Sequence, residues 1–199
     1  GHHFVETLVG KSAGAHITVI GEEPRPAYDR VHLSDVFAGR APEELAMADR
    51  DTYKEWGVDA HFGDPVVKIE RNKKEVVTQL GFAYDKLVLA TGSYPFVPPV
   101  PGHENKRCLT YRTIDDLGEI KARAKDSRVG VVVGGGLLGL EGANALQNLG
   151  LETHVVEFAP GLMGVQLDEG GSRMLRRKVE ALGVSVHTGK NTQNIGKGD

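Results

Sequence analysis

A single glycine-rich turn constrains the fold of this chain more strongly than any other feature of its sequence. An apolar run at residues 131–133 leads directly into a Gly-x-Gly-x-x-Gly pattern, a helix-compatible segment covers residues 140–149, and a second apolar run covers residues 153–158. The three glycines are Gly134, Gly136 and Gly139. Strand, tight turn, helix and strand in this order predict a parallel βαβ unit with a nucleotide-binding turn.

The glycines and one downstream acid have separate physical roles in such a unit. Gly134 permits the tight turn, Gly136 removes the side chain that would block a diphosphate, and Gly139 lets the helix pack closely on the strand. The diphosphate would bind the first amides and the positive dipole end of the helix. Glu157 would accept hydrogen bonds from a ribose 2′-hydroxyl and repel a 2′-phosphate, which indicates NAD rather than NADP. The alternative is a turn that serves packing only.

The composition narrows the classes of function. The chain has 199 residues, a formal net charge of −3 and a single cysteine, Cys108. This charge gives no reason to expect nucleic acid or an anionic membrane as a partner, and no apolar run approaches the roughly 18 residues of a membrane helix. One cysteine excludes an internal disulfide framework, and we predict no metal ligands in these residues. We expect a soluble, cytoplasmic protein.

An incomplete second copy of the same pattern begins the chain. Its expected elements are a helix at residues 4–9, a polar loop through Ser12 and Gly14, and a strand at residues 17–20. Alignment of the two copies places Gly1 on Gly139, and Glu22 and Glu23 near the position of the ribose acid. Gly1 is therefore expected to be the third glycine of another fingerprint, in a chain truncated at its N-terminus. The alternative is that the first three residues remain from an affinity tag.

The rest of the chain alternates strands with helices, which predicts an α/β fold with parallel sheets. Prolines at residues 95–101 form a stiff connector, and a capping box of Thr113 and Asp116 starts a helix at residues 114–124. We expect two Rossmann-like domains, at residues 1–110 and 111–199, both incomplete. The other expected elements are a helix at residues 42–56, a strand at 58–62, a hairpin of 66–69 with 75–80, a buried strand at 86–90, a helix at 175–182 and a strand at 184–187.

Four stretches of the sequence carry a resemblance to a known family. They are residues 22–34, with the order Tyr-Asp-Arg-Val-His-Leu-Ser, residues 89–95, residues 111–113 and residues 134–141. Together they resemble the two-dinucleotide-domain flavoprotein reductases. Within these enzymes the chain is most similar to the N-terminal flavin portion of the large subunits of NADH-dependent nitrite reductases.

The resemblance implies an FAD site in the first domain and an NADH site in the second. Glu22 or Glu23 would bind the adenosine ribose of FAD. Arg30 and Ser34 would lie along the flavin and its diphosphate. The other implied FAD contacts are Val66, through its backbone at the adenine, and Ala90, Thr91 and Gly92 near the diphosphate or flavin. The structural alternatives are a surface ion pair for Arg30, a helix cap for Ser34 and a plain strand end at residues 91–92.

The chain also departs from its relatives. Ferredoxin-reductase relatives carry a lysine after the serine of the Arg-x-x-Leu-Ser block, where this chain has Asp35. Disulfide reductases carry a reactive cysteine on the helix after the first acidic strand, and residues 33–40 contain none. Cys108 is expected to be a small buried residue, so we do not expect thiol–disulfide exchange. The cysteines that hold the sirohaem and iron–sulfur cluster of the family, and its third FAD segment, are absent, so we expect truncation at both ends.

The activity implied is hydride transfer from NADH to FAD, with electrons passing on to metal centres elsewhere in the full protein. Hydride transfer needs proximity and orientation rather than an acid or base of the protein, and it requires the two nucleotide pockets to face each other. Glu141 is the one candidate catalytic residue, as a polar contact near the nicotinamide or flavin, although the helix dipole alone favours an acid there. Expected partners are a nitrite reductase small subunit and a second copy. The alternatives are a stand-alone rubredoxin or ferredoxin reductase and a nucleotide-binding redox sensor.

Overall fold

The chain forms two compact units in a computed structural model that describes residues 1–11 and 14–196. Ser12, in the predicted polar loop, lies outside the described residues. The first unit comprises Gly1–Asp29 and Glu43–Ser93, and the second comprises Arg30–Pro42 and Tyr94–Asp199. Both contain parallel strands with helices, so the predicted α/β class is confirmed. Among the described residues, no helix has the length and apolar character needed to cross a membrane.

The first unit is built on a parallel pair of strands. Its elements are helix α1 (His2–Val9), strand β1 (Ile17–Gly21), helix α2 (Arg50–Glu55) and strand β2 (Val58–Phe62). A 3₁₀ turn (Pro42–Leu45) begins at the last residue of the second unit's segment 30–42 and continues into the first unit. Strands β1 and β2 run parallel with Ile17 opposite Val58. Val5 of α1 and Tyr53 of α2 are buried with Val58 in one apolar cluster. The burial of these side chains fixes both helices to the sheet.

The predicted hairpin is present and belongs to a three-stranded antiparallel sheet. Its strands are β3 (Lys68–Glu70), β4 (Glu75–Val77) and β5 (Gly81–Ala83). Lys74 adopts a positive φ of 51° in the turn between β3 and β4, a conformation that residues other than glycine use mainly in tight turns. The sequence did not predict β5. Three residues that include a glycine are too few for an alternating pattern to be recognised.

The second unit contains a three-stranded parallel sheet in the order β6-β7-β8. Its elements are a 3₁₀ turn (Leu33–Val36), helix α3 (Ile114–Ala124), strand β6 (Val129–Val133), helix α4 (Leu137–Asn148), strand β7 (Glu152–Val156), helix α5 (Glu169–Ala181) and strand β8 (Ser185–His187). Helices α4 and α5 pack on one face of this sheet, where Val155 and Leu162 are fully buried. The sheet therefore presents the carboxyl ends of β6 and β7 side by side.

Two predicted elements differ in the structure. The expected helix at residues 42–56 is divided into the 3₁₀ turn and α2. Asp49 has an extended backbone, with φ −105° and ψ −179°, and its side chain accepts a hydrogen bond from the amide of Thr52 at 2.7 Å, so α2 begins as a new helix.

The predicted buried strand at residues 86–90 is not a strand. None of the described residues pairs with this segment in a ladder, and Leu89 is 67% exposed. An apolar run of this kind forms a strand only where neighbouring strands supply hydrogen bonds and cover its faces. Because no strand among the described residues pairs with this segment, its apolar side chains stay exposed.

The capping box at the start of α3 is present as predicted. The hydroxyl of Thr113 accepts a hydrogen bond from the amide of Asp116 at 3.1 Å, and the carboxylate of Asp116 accepts one from the amide of Thr113 at 2.8 Å. We expect Thr113→Ala to lower the free energy of unfolding by about 1 kcal/mol, measured by urea denaturation. Thr113→Ser keeps the hydroxyl and should stay close to the wild type. Equal stability of the alanine and serine variants would contradict this role.

Candidate functional site

The glycine-rich loop joins the carboxyl end of β6 to the start of α4. Gly134 has a φ of +117°, which L-residues rarely adopt, and its amide donates a hydrogen bond to the carbonyl of Val156 at 2.8 Å. Gly136 is the N-cap of α4, and no side chain among the described residues caps this helix start. The first amides of an α-helix have no acceptor within the helix. This end of α4 therefore offers unpaired amide donors and a positive dipole end to an anionic ligand.

The loop glycines differ in what surrounds them. A Cβ added to Gly136 would have no protein atom within 4 Å, so this position opens to solvent as a diphosphate requires. A Cβ added to Gly139 would overlap the carbonyl oxygen of Gly134. The close approach of helix and turn at Gly139 is thus present as the sequence predicted.

Gly135 is a loop residue that the sequence analysis missed. A Cβ at this position would lie 2.6 Å from Cδ2 of Leu162 and 3.1 Å from Cβ of Glu157. Real Cβ atoms do not approach other carbons this closely, so only glycine fits without a shift of the buried Leu162. The Gly-x-Gly-x-x-Gly pattern allows any residue at this position. The constraint comes from a residue 27 positions downstream and becomes visible only in the folded unit.

Glu157 is fixed against the glycine-rich loop. It follows β7 directly, and its carboxylate accepts a hydrogen bond from the amide of Gly135 at 2.5 Å and another from the amide of Ala159 at 2.6 Å. Hydrogen bonds from amides to a carboxylate hold its orientation strongly. The carboxylate is half-buried and keeps further acceptor positions on both oxygens. This arrangement suits recognition of ribose hydroxyls and disfavours a phosphate beside them.

The first unit contains residues that correspond to the third loop glycine and the ribose acid of the second unit. Gly1 directly precedes α1, and its carbonyl oxygen accepts a hydrogen bond from the amide of Val5 at 3.1 Å. Glu22 follows β1 directly, as Glu157 follows β7, while the carboxylate of Glu23 accepts a hydrogen bond from the hydroxyl of Tyr28 at 2.7 Å. His2 packs on Trp56 with 5.7 Å between ring centroids, which makes the start of the chain part of the folded unit.

The other residues implied for FAD in the first unit are exposed. Val66 is 46% exposed, and Ala90, Thr91 and Gly92 are exposed. Gly92 has a φ of +69°, so a glycine is favoured there. A Cβ added to Gly1 would lie 3.6 Å from Cβ of Ala90, which brings these two predicted residues together.

The second unit brings a residue implied for FAD against the helix implied for NADH. The hydroxyl of Ser34 donates a hydrogen bond to Oε2 of Glu141 on α4 at 3.2 Å, and it lies 2.8 Å from the hydroxyl of Tyr111. Arg30 donates from Nη1 to the carbonyl oxygen of Arg112 at 3.0 Å. Segment 30–42 is therefore part of the second unit, which contains the glycine-rich loop, although the segment is distant from that loop in sequence.

Tyr111 is the second residue that the sequence analysis did not assign to the site. Burial is the main cause that raises the pKa of its phenol above the ordinary value. The Ser34 hydroxyl lowers this pKa, because it can turn to donate a hydrogen bond to the ionised phenolate. The negative charges of Glu141 and Asp35 raise the pKa further. The phenol therefore keeps its proton well above neutral pH and is available as a hydrogen-bond donor.

Cys108 differs in part from its prediction. It is half-buried rather than fully buried, and its thiol lies 3.7 Å from the carbonyl oxygen of Gly102. The carbonyl is a suitable acceptor for the weak S–H donor.

Comparison with known proteins identifies the family. The profile described as pyridine nucleotide-disulphide oxidoreductase matches residues 1–199. The nitrite reductase [NAD(P)H] large subunit of Klebsiella oxytoca is 55% identical over 98% of this chain and 21% of its own length. The nitrite reductase (NADH) large subunit of Escherichia coli strain K12 is 51% identical over 98% of this chain and 24% of its own length. These matches confirm the resemblance seen in the sequence.

A solved structure gives the same picture of the fold. The ferredoxin reductase of Rhodopseudomonas palustris superposes with a TM-score of 0.89 at 26% identity, over 96% of this chain and 48% of that protein. The chain spans only about a fifth to a quarter of the length of the two nitrite reductase subunits. The match along residues 1–199 and the geometry of the glycine-rich loop together show that this chain belongs to the pyridine nucleotide-disulphide oxidoreductase family.

Proposed function

We propose that this chain is the flavoprotein module of an NADH-dependent nitrite reductase. It would bind NADH on the second unit and FAD chiefly on the first, and it would pass a hydride from NADH to FAD. The predicted domain assignment, 1–110 for FAD and 111–199 for NADH, remains a proposal. The compact units support one refinement, since segment 30–42 packs with the second unit.

One observation carries the proposal. Ser34 belongs to the block implied for the flavin, Glu141 belongs to the helix that starts at the nucleotide loop, and their side-chain oxygens are 3.2 Å apart. Hydride transfer requires the residues near the flavin and those near the nicotinamide to lie close to one another. This contact supports a shared reaction site rather than two independent binding sites.

The residues of the chain would bind and orient the substrates. The amides at the start of α4 would bind the NADH diphosphate, with Gly136 leaving the space for it. The carboxylate of Glu157 would accept hydrogen bonds from the adenosine ribose. Glu22 or Glu23 would do the same for FAD, and Arg30 would lie near its diphosphate. Bound FAD supplies the ability to accept a hydride and to release electrons one at a time.

The full protein would complete the reaction. Electrons would pass to iron–sulfur and sirohaem centres on domains elsewhere in the polypeptide, with a nitrite reductase small subunit as a further partner. A homodimer and a cytoplasmic location belong to the same proposal. The similarity to nitrite reductase large subunits at 55% and 51% identity favours this reading over a stand-alone rubredoxin or ferredoxin reductase, since the matched ferredoxin reductase is 26% identical.

Steady-state oxidation of NADH by ferricyanide tests the proposal on the full-length, FAD-loaded protein. Ferricyanide accepts electrons from the flavin directly, so the assay does not require the metal centres. We expect turnover that saturates with NADH and that persists when the metal centres are removed. Normal NADH binding with negligible turnover would instead identify a redox sensor and would refute the reductase assignment.

A further inference from the structure

Tyr111 lies at one end of a short hydrogen-bonded chain in the second unit. Its hydroxyl is 2.8 Å from the Ser34 hydroxyl, and the Ser34 hydroxyl is 3.2 Å from Oε2 of Glu141. Ser34 has one hydroxyl proton, and a carboxylate can only accept. The Ser34 proton therefore serves Glu141, and the bond between the two hydroxyls must be donated by Tyr111. Both hydrogen bonds are therefore donated in the same direction, from the Tyr111 phenol to the Ser34 hydroxyl and from the Ser34 hydroxyl to the Glu141 carboxylate.

The backbone on both sides of Tyr111 is fixed. The carboxylate of Asp116 accepts hydrogen bonds from the amide of Arg112 at 2.8 Å and from the hydroxyl of Thr110 at 2.9 Å. Arg30 also donates to the carbonyl oxygen of Arg112. Bonds to the residues before and after Tyr111 therefore hold the backbone from which its side chain extends.

The segment that carries Ser34 is also held in place by contacts with other parts of the second unit. The ring of Phe37 stacks on the ring of Tyr111, with 6.0 Å between centroids and 22° between planes. Lys121 of α3 donates from Nζ to the carbonyl oxygen of Val36 at 2.8 Å, and its Nζ is 5.5 Å from the Phe37 centroid. The segment that carries Ser34 is thus attached to α3 and to Tyr111 at once.

We propose that Tyr111 is a positioning residue for hydride transfer, which it serves by holding the carboxylate of Glu141 in one orientation through Ser34. This inference rests on the proposed function, in which Glu141 makes a polar contact near the reacting rings. A glutamate side chain has three rotatable bonds, and only a directed bond selects one arrangement of its oxygens. The phenol suits this task, because its raised pKa keeps the donor proton in place across the neutral range.

Replacement of Tyr111 by phenylalanine tests the inference in the full-length, FAD-loaded protein. The ring that stacks on Phe37 remains, so we expect the fold to be kept. The rate of flavin reduction at saturating NADH should fall about tenfold, since orientation is lost, while the Kd for NADH should change by no more than about twofold. Tyr84→Phe, at a half-buried tyrosine of the first unit, is the matched control and should change neither. The inference would be overturned by an unchanged rate of flavin reduction in Tyr111→Phe. It would also be overturned if the rate fell and the Kd for NADH rose by the same factor.

A double-mutant cycle tests whether the three groups act in series. Ser34→Ala breaks the chain at its middle, so Tyr111→Phe should add no further loss of rate when it is combined with Ser34→Ala. Ser34→Thr retains a hydroxyl and should restore most of the rate. Additive losses would mean that Tyr111 acts independently of Ser34, contrary to the inference.

A measurement without turnover separates this inference from the reductase assignment. The difference in ultraviolet absorbance between wild type and Tyr111→Phe reports ionisation of the Tyr111 phenol as pH rises. Glu141→Gln removes a negative charge that raises the pKa of Tyr111, so ionisation should begin at lower pH in that variant. An unchanged titration would refute the contact. A shifted titration in a protein whose flavin NADH does not reduce would support the hydrogen bonds from Tyr111 to Glu141 and refute the reductase assignment.

Discussion

Gly136→Ala is expected to weaken NADH binding by about 100-fold, equivalent to about 2.7 kcal/mol, while the protein stays folded. The Cβ added there meets no protein atom within 4 Å, so nothing in the chain opposes the substitution. The methyl group would occupy the space through which a diphosphate reaches the amides at the start of α4. Isothermal titration calorimetry with NADH measures the change in Kd directly.

The same helix supplies a matched control for this substitution. Gly142 lies further along α4, and a Cβ there also meets no atom within 4 Å. Gly142→Ala should leave the Kd for NADH at its wild-type value and stabilise the helix by up to about 1 kcal/mol. If the two variants bound NADH equally well, the glycine-rich loop would not be the diphosphate site.

Gly139→Ala is expected to have the largest effect on stability. Its added Cβ would overlap the carbonyl oxygen of Gly134, an atom of the backbone that no rotamer change can move. Overpacking typically costs about 1–3 kcal/mol, and a clash with the backbone belongs at the upper end of this range, so the second unit should unfold at a lower urea concentration. The variant should lose NADH binding only under the conditions in which the second unit unfolds.

The comparison of three glycines makes this prediction specific. Gly136 is the N-cap of α4, and Gly139 and Gly142 follow inside the helix at intervals of three residues. Alanine should weaken NADH binding at position 136, weaken folding at position 139 and harm neither at position 142. Circular dichroism during urea denaturation distinguishes the cases. A Gly139→Ala variant as stable as Gly142→Ala would contradict the close packing of turn and helix.

The features that were predictable from the sequence depend on neighbouring residues. The loop with Gly134, Gly136 and Gly139, the cap at Thr113 and the parallel strands all follow from spacing or from periodic apolar residues. The need for glycine at position 135 depends on Leu162, and the position of Tyr111 depends on contacts with distant segments. Such tertiary contacts leave no local pattern in the sequence.

The segment at residues 30–42 illustrates the same limit in the domain assignment. Its sequence order places it among residues of the first unit, and its motif implies a role with the flavin. Its contacts with Tyr111, Lys121 and Glu141 instead attach it to the second unit. A boundary drawn from composition follows the order of the chain, whereas a compact unit follows the contacts, and the two differ wherever the chain crosses from one unit to the other.

Rapid anaerobic mixing of NADH with the full-length, FAD-loaded protein tests the central claim most directly. The account predicts that flavin absorbance is lost in a fast phase that saturates with NADH, and that NADPH produces this loss far more slowly because Glu157 repels its 2′-phosphate. Flavin that stays oxidised while NADH is bound, or that NADPH reduces as fast as NADH does, would contradict the account.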